Sequence, residues 1–428
     1  MQRFHDGRDG FFEHRYGLFV HWGLYALTGW HEQVQWRHGI PKADYVRLMS
    51  QFNPVHFDPE RWLDLMAEAG MQYLCITTKH HDGFCLWDSA CTEYKVTRTP
   101  YGRDILAMLA EACQRRGIRL GLYYSCPDWH HPNAINLGGD HQLTEPNPGD
   151  EPDLLRYVDY VRRQITELAT GYGPIACFFW DIPPRLTIPD LNERLRRLQP
   201  GIMINDRGFG PGDYATPERH VPAGRRFTTP TEACQSVGRQ SWGWRVDEDY
   251  YSDLFLMQSL DRILAMDGNY LLNVVPRPDG TIAEAQAAIL RRIGRWFHRV
   301  REAWYGAEPA PEILAGDECM VTRKGHSLYL HFPTPPVSSG IVLKPLAAAP
   351  RQAVLLNTGQ ALRAAVEYVP SGFRQGCFLR LAGLPVNDLA GEVPVVRLDF
   401  DDLPAALACA PPPPPAPPTD PTSLGNMS

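Results

Sequence analysis

Two adjacent histidines followed by an acid, His80-His81-Asp82, stand just beyond the apolar run Tyr73 to Thr78, and the same juxtaposition recurs along the chain. His21 and Trp22 close the run GLFVHWG, Asp128 to His131 follow IRLGLYYS, Asp181 closes ACFFW, and Asp206-Arg207 follows GIMIN. Histidines, carboxylates and indoles at the ends of buried runs are what sugar recognition asks for. Hydroxyls need hydrogen-bonding groups in fixed positions, and a sugar's C–H face stacks on aromatic rings. Cleaving a glycosidic bond further needs two carboxyl groups astride it. Asp181 is the strongest candidate for one, because an apolar strand drives it to the mouth of the fold. For the other, the residues leave Glu218, Glu232 and Glu32 open. A metal reading of the histidine pair is set aside, since neighbours on an extended segment point to opposite faces and rarely bind one ion. The chain has no nucleotide loop, no cofactor lysine motif and no Cys/His cluster of zinc spacing, so neither cofactor nor metal is expected.

The elements that must position these residues alternate. Asp58-Pro59-Glu60 predicts a helix start, with Pro59 in the first helical position, an apolar stripe of Trp62, Leu65, Met66 and Ala69, and Gly70 at the end. Further helices are predicted over Arg103 to Arg116, Leu154 to Leu168, Leu191 to Leu198, about Asp249 to Met266, and Glu284 to Val300. Between them lie the short apolar runs, with NYLLNVVP as the last. Strand and helix in units of about 30 to 50 residues read as right-handed βα repeats around a parallel sheet. Five successive strands with loaded C-terminal ends favour an α/β fold of the (β/α)₈-like TIM-barrel type, whose active site lies at those ends. The expected domains are a catalytic barrel over residues 1–308, a small antiparallel β-sandwich domain over 309–405, and a Pro-rich, disordered tail over 406–428. The middle domain rests on short runs such as CMVTR, SLYLHF and VVRLDF, and the tail on APPPPPAPP.

Composition bounds the rest. Of 428 residues 44% are hydrophobic, ample for a large core, and a net charge of -7 offers no basic field for nucleic acid. No apolar run is long enough to span a membrane. The first 17 residues hold no apolar leader core, and Cys75 and Cys177 sit inside apolar runs as reduced thiols do. A cytoplasmic location is therefore expected.

The stretches GLFVHWGLY, FNPVHFDPERWLDLMAEAGMQY, TTKHHDGFCLWDS, RDILAMLAEACQRRGIRLGLYYS, INDRG, DYATPE, SWGW and GNYLLNVVPRPDG resemble the family 29 glycoside hydrolases, the α-L-fucosidases, from about residue 15 to 306. The resemblance implies retaining hydrolysis of terminal α-L-fucose from a glycan or glycoside, with no cofactor. It implies that Asp181 is the nucleophile and Glu218 the acid/base, with Glu232 the rival for that role or otherwise near the sugar. His21, His80, His81, Tyr124 and Arg207 match residues that hold the fucose hydroxyls. Trp242 matches an aromatic position beside the sugar's methyl group, and Glu32 an acidic residue of the pocket. Where the family usually reads Trp-x-Asp-Gly, this chain has Phe179-Trp180-Asp181-Ile182, and the usual Gly-Glu-Trp is His31-Glu32-Gln33. A non-catalytic fucose-binding protein and a hydrolase for a related sugar such as α-L-galactose are the alternatives. Homo-oligomerisation is left open.

Overall fold

A computed structural model describes residues 1, 3–313, 319–343, 346–368 and 376–408. The described residues fall into two compact units, one of residues 1–309 with 391–393, the other of residues 310–390 with those after 393.

The first unit is built on a seven-stranded sheet in which every paired strand is parallel. Its strands are β1 (Tyr16–Val20), β2 (Tyr73–Lys79), β3 (Arg119–Ser125), β4 (Ile175–Asp181), β5 (Met203–Ile204), β6 (Glu232–Ser236) and β7 (Asn269–Val274). They run in the order β5-β4-β3-β2-β1-β7-β6. Strands covered on both faces read as continuous apolar runs, and β1, β2 and β7 are buried at every residue. Among the described residues the sheet has seven strands where the (β/α)₈ expectation asks for eight, and its two edges, β5 and β6, do not pair with each other. The run Gly201 to Asn205 shrinks to a two-residue strand.

The helices begin and end where local chemistry demands. The side chain of Asp58 caps the helix Pro59–Ala69 by accepting from Glu60 N, and Gly70 ends it in a left-handed conformation at φ 81°. Asp104, Asp153 and Ser252 cap Ile105–Arg116, Leu154–Gly171 and Asp253–Ala265 in the same way. Pro189–Leu198 and Glu284–Val300 complete the set. No helix separates β5 from β6. There the chain makes an excursion whose bridges are isolated ones, Asn205 to Tyr214, Ala215 to Thr231 and Glu218 to Cys234.

The second unit holds two antiparallel sheets. Strands Gln360–Ala361, Gln352–Leu355, Val395–Asp399, Ser327–His331 and Met320–Lys324 neighbour one another in that order, and Gly340–Leu343, Phe378–Ala382 and Arg363–Glu367 form the other sheet. Leu328, Leu330, Val396 and Leu398 from one sheet share a core with Ile341, Leu343, Leu379 and Leu381 from the other. The expected Pro-rich tail lies outside the described residues from 409 onward.

Candidate active site

The C-terminal ends of the strands converge on a cavity of about 310 Å³. His21 follows β1, His80 and His81 follow β2, Tyr123 lies near the end of β3, and Asp181 ends β4. Arg207 follows β5, while Glu218 and Trp242 come from the segments on either side of β6. Glu32 enters from the loop after β1.

Two carboxylates share one guanidinium. Arg207 Nη1 donates to Asp181 Oδ1 at 3.1 Å and to Glu218 Oε2 at 2.8 Å. Those two lengths end to end bound the distance between these two oxygens at about 6 Å, short of the roughly 6.5 Å at which inverting pairs begin and compatible with a retaining pair. The Tyr123 hydroxyl donates to Asp181 Oδ2 at 2.6 Å. Burial alone would push the Asp181 carboxyl up, but the Arg207 charge and the Tyr123 hydrogen bond outweigh it and hold the group below its ordinary value. Glu218 Oε1 accepts from Trp242 Nε1 at 3.1 Å. Arg207 is itself braced, its Nε donating to Thr216 Oγ1 and its Nη2 to Thr216 O, both at 2.6 Å.

Two of the histidines, His21 and His81, are held as acceptors. Asn273 Nδ2 donates to Ser236 Oγ at 3.1 Å and Trp242 O at 2.9 Å, which turns its Oδ1 toward His21 Nδ1 at 2.8 Å. An amide oxygen only accepts, so the His21 proton sits on Nδ1 and Nε2 is left with its lone pair. His81 repeats the device. Ser125 Oγ donates to Pro127 O at 2.8 Å and so receives His81 Nδ1–H at 2.7 Å. Burial lowers the basicity of both rings, that of His81 to about 4. His80 is lowered further by burial and by the neighbouring histidines, and its Nδ1 is a buried atom with no partner.

Glu32 is buried and lopsided. Its Oε2 accepts from Ser241 Oγ at 2.7 Å, Trp242 N at 2.9 Å and Gly243 N at 3.1 Å, while Oε1 is buried with no partner. Burial opposes its ionisation, but the charge of His31 and these donors hold its carboxyl below the ordinary value. Behind the histidines, Lys79 Nζ and Asp128 Oδ2 form a fully buried ion pair at 3.0 Å. Asp128 Oδ1 accepts from the backbone of His130 and His131, so that pair anchors the loop after β3.

Eight of the ten residues singled out from the sequence line this cavity: His21, Glu32, His80, His81, Asp181, Arg207, Glu218 and Trp242. Tyr124 does not. Successive strand residues face opposite ways, and Tyr124 turns outward to give its hydroxyl to Gln164 Oε1 on the helix Leu154–Gly171. Its neighbour Tyr123 occupies the cavity. Glu232 is also elsewhere. As first residue of β6 it lies at the opposite end of the sheet, paired with Asn269 and accepting from Tyr73 OH at 2.6 Å. The histidine pair behaves differently from the strand argument too, for β2 ends at Lys79 and the turn that follows brings the two rings within 3.9 Å of each other. Among the described residues no group of three or more His, Cys, Asp or Glu is placed to hold a metal ion.

Sequence reasoning missed Tyr123, Gln33, Asp140, His141, Ile182 and Pro183, all on the cavity wall. Ile182 carries a backbone signal. It takes a left-handed φ of 58°, rare for a β-branched residue, at the position where the fucosidase motif has glycine. The glycine's freedom is therefore required there, and this chain meets the requirement with strain.

A family model described as alpha-L-fucosidase matches residues 5–302. The tissue alpha-L-fucosidase of Rattus norvegicus is 30% identical over 360 residues, 76% of each chain. Among solved structures, alpha-L-fucosidase isoenzyme 1 from Paenibacillus thiaminolyticus superposes with a TM-score of 0.83 at 32% identity, covering 92% of this chain and 99% of that one. A GH29 alpha-L-fucosidase from Bacteroides thetaiotaomicron, trapped as a covalent intermediate with 2-fluoro-fucosyl fluoride, superposes at 0.79 with 27% identity, covering 93% and 97%.

Proposed function

The chain belongs to the alpha-L-fucosidase family, and on that premise we propose that it hydrolyses terminal α-L-fucosyl residues of glycosides by a retaining, double-displacement mechanism. It is a glycoside hydrolase. The observation that carries the reading is the pair of carboxylates on one guanidinium, close enough for attack on an anomeric carbon and protonation of its leaving oxygen. The covalent intermediate of the Bacteroides relative supports the double displacement.

On this reading Asp181, ionised beside Arg207, attacks the anomeric carbon and forms the fucosyl-enzyme. Glu218 protonates the departing oxygen and then draws a proton from water. Both oxygens of Glu218 meet groups that only donate, Arg207 Nη1 and the Trp242 indole. The proton is thus loaded on Oε2 once the sugar has parted Glu218 from Arg207, with the indole still on Oε1. The bare Nε2 atoms of His21 and His81 and the unpartnered Glu32 Oε1 are acceptors for sugar hydroxyls. They would tighten as the ring flattens toward an oxocarbenium ion. The fold fits an eight-fold barrel in which residues 213–219, hydrogen-bonded to β5 through Ile204 and to β6 through Cys234, serve as the irregular closing segment. The second unit reads as a β-sandwich.

The test is stereochemical. Proton NMR during hydrolysis of an aryl α-L-fucoside should show α-fucose first, with the β anomer growing only by mutarotation. First-formed β-fucose would mean inversion and refute the proposal.

A further inference from the structure

The acid is exposed, and something must hold it still. The Glu218 side chain is 40% exposed, and neither of its bonds is to a group that is itself rigid by burial alone. Arg219, the next residue, takes a left-handed φ of 56°; it does not line the cavity, and its guanidinium bonds the loop that leads to Trp242. Its Nη1 donates to Gly238 O at 3.1 Å and Arg239 O at 3.0 Å, and its Nη2 to Ser241 O at 3.1 Å. The guanidinium carbon lies 4.4 Å from the centre of the Trp242 ring. The Arg219 backbone is pinned as well, its N–H reaching Cys234 O on β6 at 2.9 Å.

We propose that Arg219 is a positioning residue that mounts the Trp242 indole, and through it Glu218, for proton delivery to the leaving group. The proposal rests on Glu218 being the acid/base. Glu32 holds the backbone of Trp242 through its N–H. Arg219 holds the ring by the attraction of a cation for an aromatic face, and holds the loop by three charge-assisted bonds to carbonyls. The indole N–H then fixes Glu218 Oε1, which leaves Oε2 as the proton's seat. Without Arg219 the indole is free to turn about its side-chain bonds, and an exposed glutamate loses the partner that aims it. Misaiming a proton donor matters only when the leaving oxygen needs the proton.

The discriminating measurement is kcat/KM of the full chain with α-L-fucosyl fluoride, whose leaving group needs no proton, against a fucosyl disaccharide, whose leaving group does. Arg219→Ala and Arg219→Gln should each lose about tenfold or more on the disaccharide and less than about threefold on the fluoride. Arg219→Lys, which keeps a cation over the indole, should fall between them and the wild type. Gln also preserves hydrogen bonding to the loop, so the comparison survives if the alanine variant fails to fold. Equal losses on both substrates, with Lys no better than Gln, would show that Arg219 merely holds the fold and overturn the proposal. Glu218→Ala is the independent control. Equal losses there would remove Glu218 from the acid/base role whatever the Arg219 variants do.

Discussion

Ser125→Ala removes a hydroxyl behind the cavity wall, and its effect on turnover tests whether His81 works as an acceptor. In the wild type, Ser125 Oγ receives His81 Nδ1–H at 2.7 Å and passes its own proton to Pro127 O at 2.8 Å. Without that oxygen the ring has two courses. It can keep its proton on Nδ1, which leaves a buried N–H unsatisfied at a cost of about 1–3 kcal/mol. Or it can move the proton to Nε2 and face the sugar as a donor. A sugar hydroxyl can turn from donating to accepting, so the second course caps the loss. The expectation is about 1–2 kcal/mol of transition-state stabilisation, roughly a 5- to 30-fold fall in kcat/KM. Pro127 O also loses its donor, which should lower stability by about 1 kcal/mol, read separately by chemical denaturation. The assay is kcat/KM for an aryl fucoside and its ring-deoxy analogues, with nitrogen-15 NMR reporting the histidine tautomers. The analogue lacking the hydroxyl that meets His81 should be indifferent to the substitution. Activity within twofold of wild type, or the same loss on every analogue, would refute the acceptor argument.

Asp181→Ala should lose several orders of magnitude in kcat, with azide partly restoring turnover and leaving a β-fucosyl azide; retention of more than about a tenth of the activity would end the nucleophile assignment. Glu232 supplies a pH prediction, since burial raises its carboxyl from 4.5 to about 7. A folded-state value above the unfolded one gives stability that is full below pH 4.5 and is lost as pH rises toward about 7. Glu232→Gln should therefore flatten the decline in unfolding free energy across that window, by up to about 3 kcal/mol, while hydrolysis of an aryl fucoside stays within a few fold. A pH–stability curve unchanged by the substitution would contradict the burial argument, and loss of turnover would return Glu232 to the site.

Much of this arrangement was legible because its signals are local. Helix ends are written in single residues, so Asp58, Pro59 and Gly70 bound a helix observed at Pro59–Ala69, and the helix Glu284–Val300 has its predicted limits. Strand ends rich in histidine and acid marked the cavity for the same reason. Parity was not legible. A strand buried on both faces shows no alternation of apolar and polar residues, so nothing local tells Tyr123, which faces Asp181, from Tyr124, which faces a helix. Glu232 failed for a related reason. A carboxylate at the first residue of a strand lies a strand's length from one at the last, and the Thr/Cys run around it does not show which end is which. Asp140 and His141 belong to an aperiodic loop that a buried ion pair between residues 49 positions apart anchors at His130 and His131.

The excursion between β5 and β6 has a consequence for how the enzyme would fail. Glu218 rides on a stretch joined to its neighbours by isolated bridges and containing no helix of its own, whereas Asp181 ends a strand in unbroken register with β3 from Gly121 onward. Segments with few protected backbone bonds open at lower free energy than the sheet they border. On heating, or under a protease, the half of the machinery that handles protons would come loose while the half that forms the covalent bond still stood. Backbone amides around Glu218 should then exchange with deuterium long before those of β1 to β4. A partly heated sample would keep its circular dichroism and its power to react once with an activated fucosyl fluoride, yet have lost its turnover of ordinary glycosides.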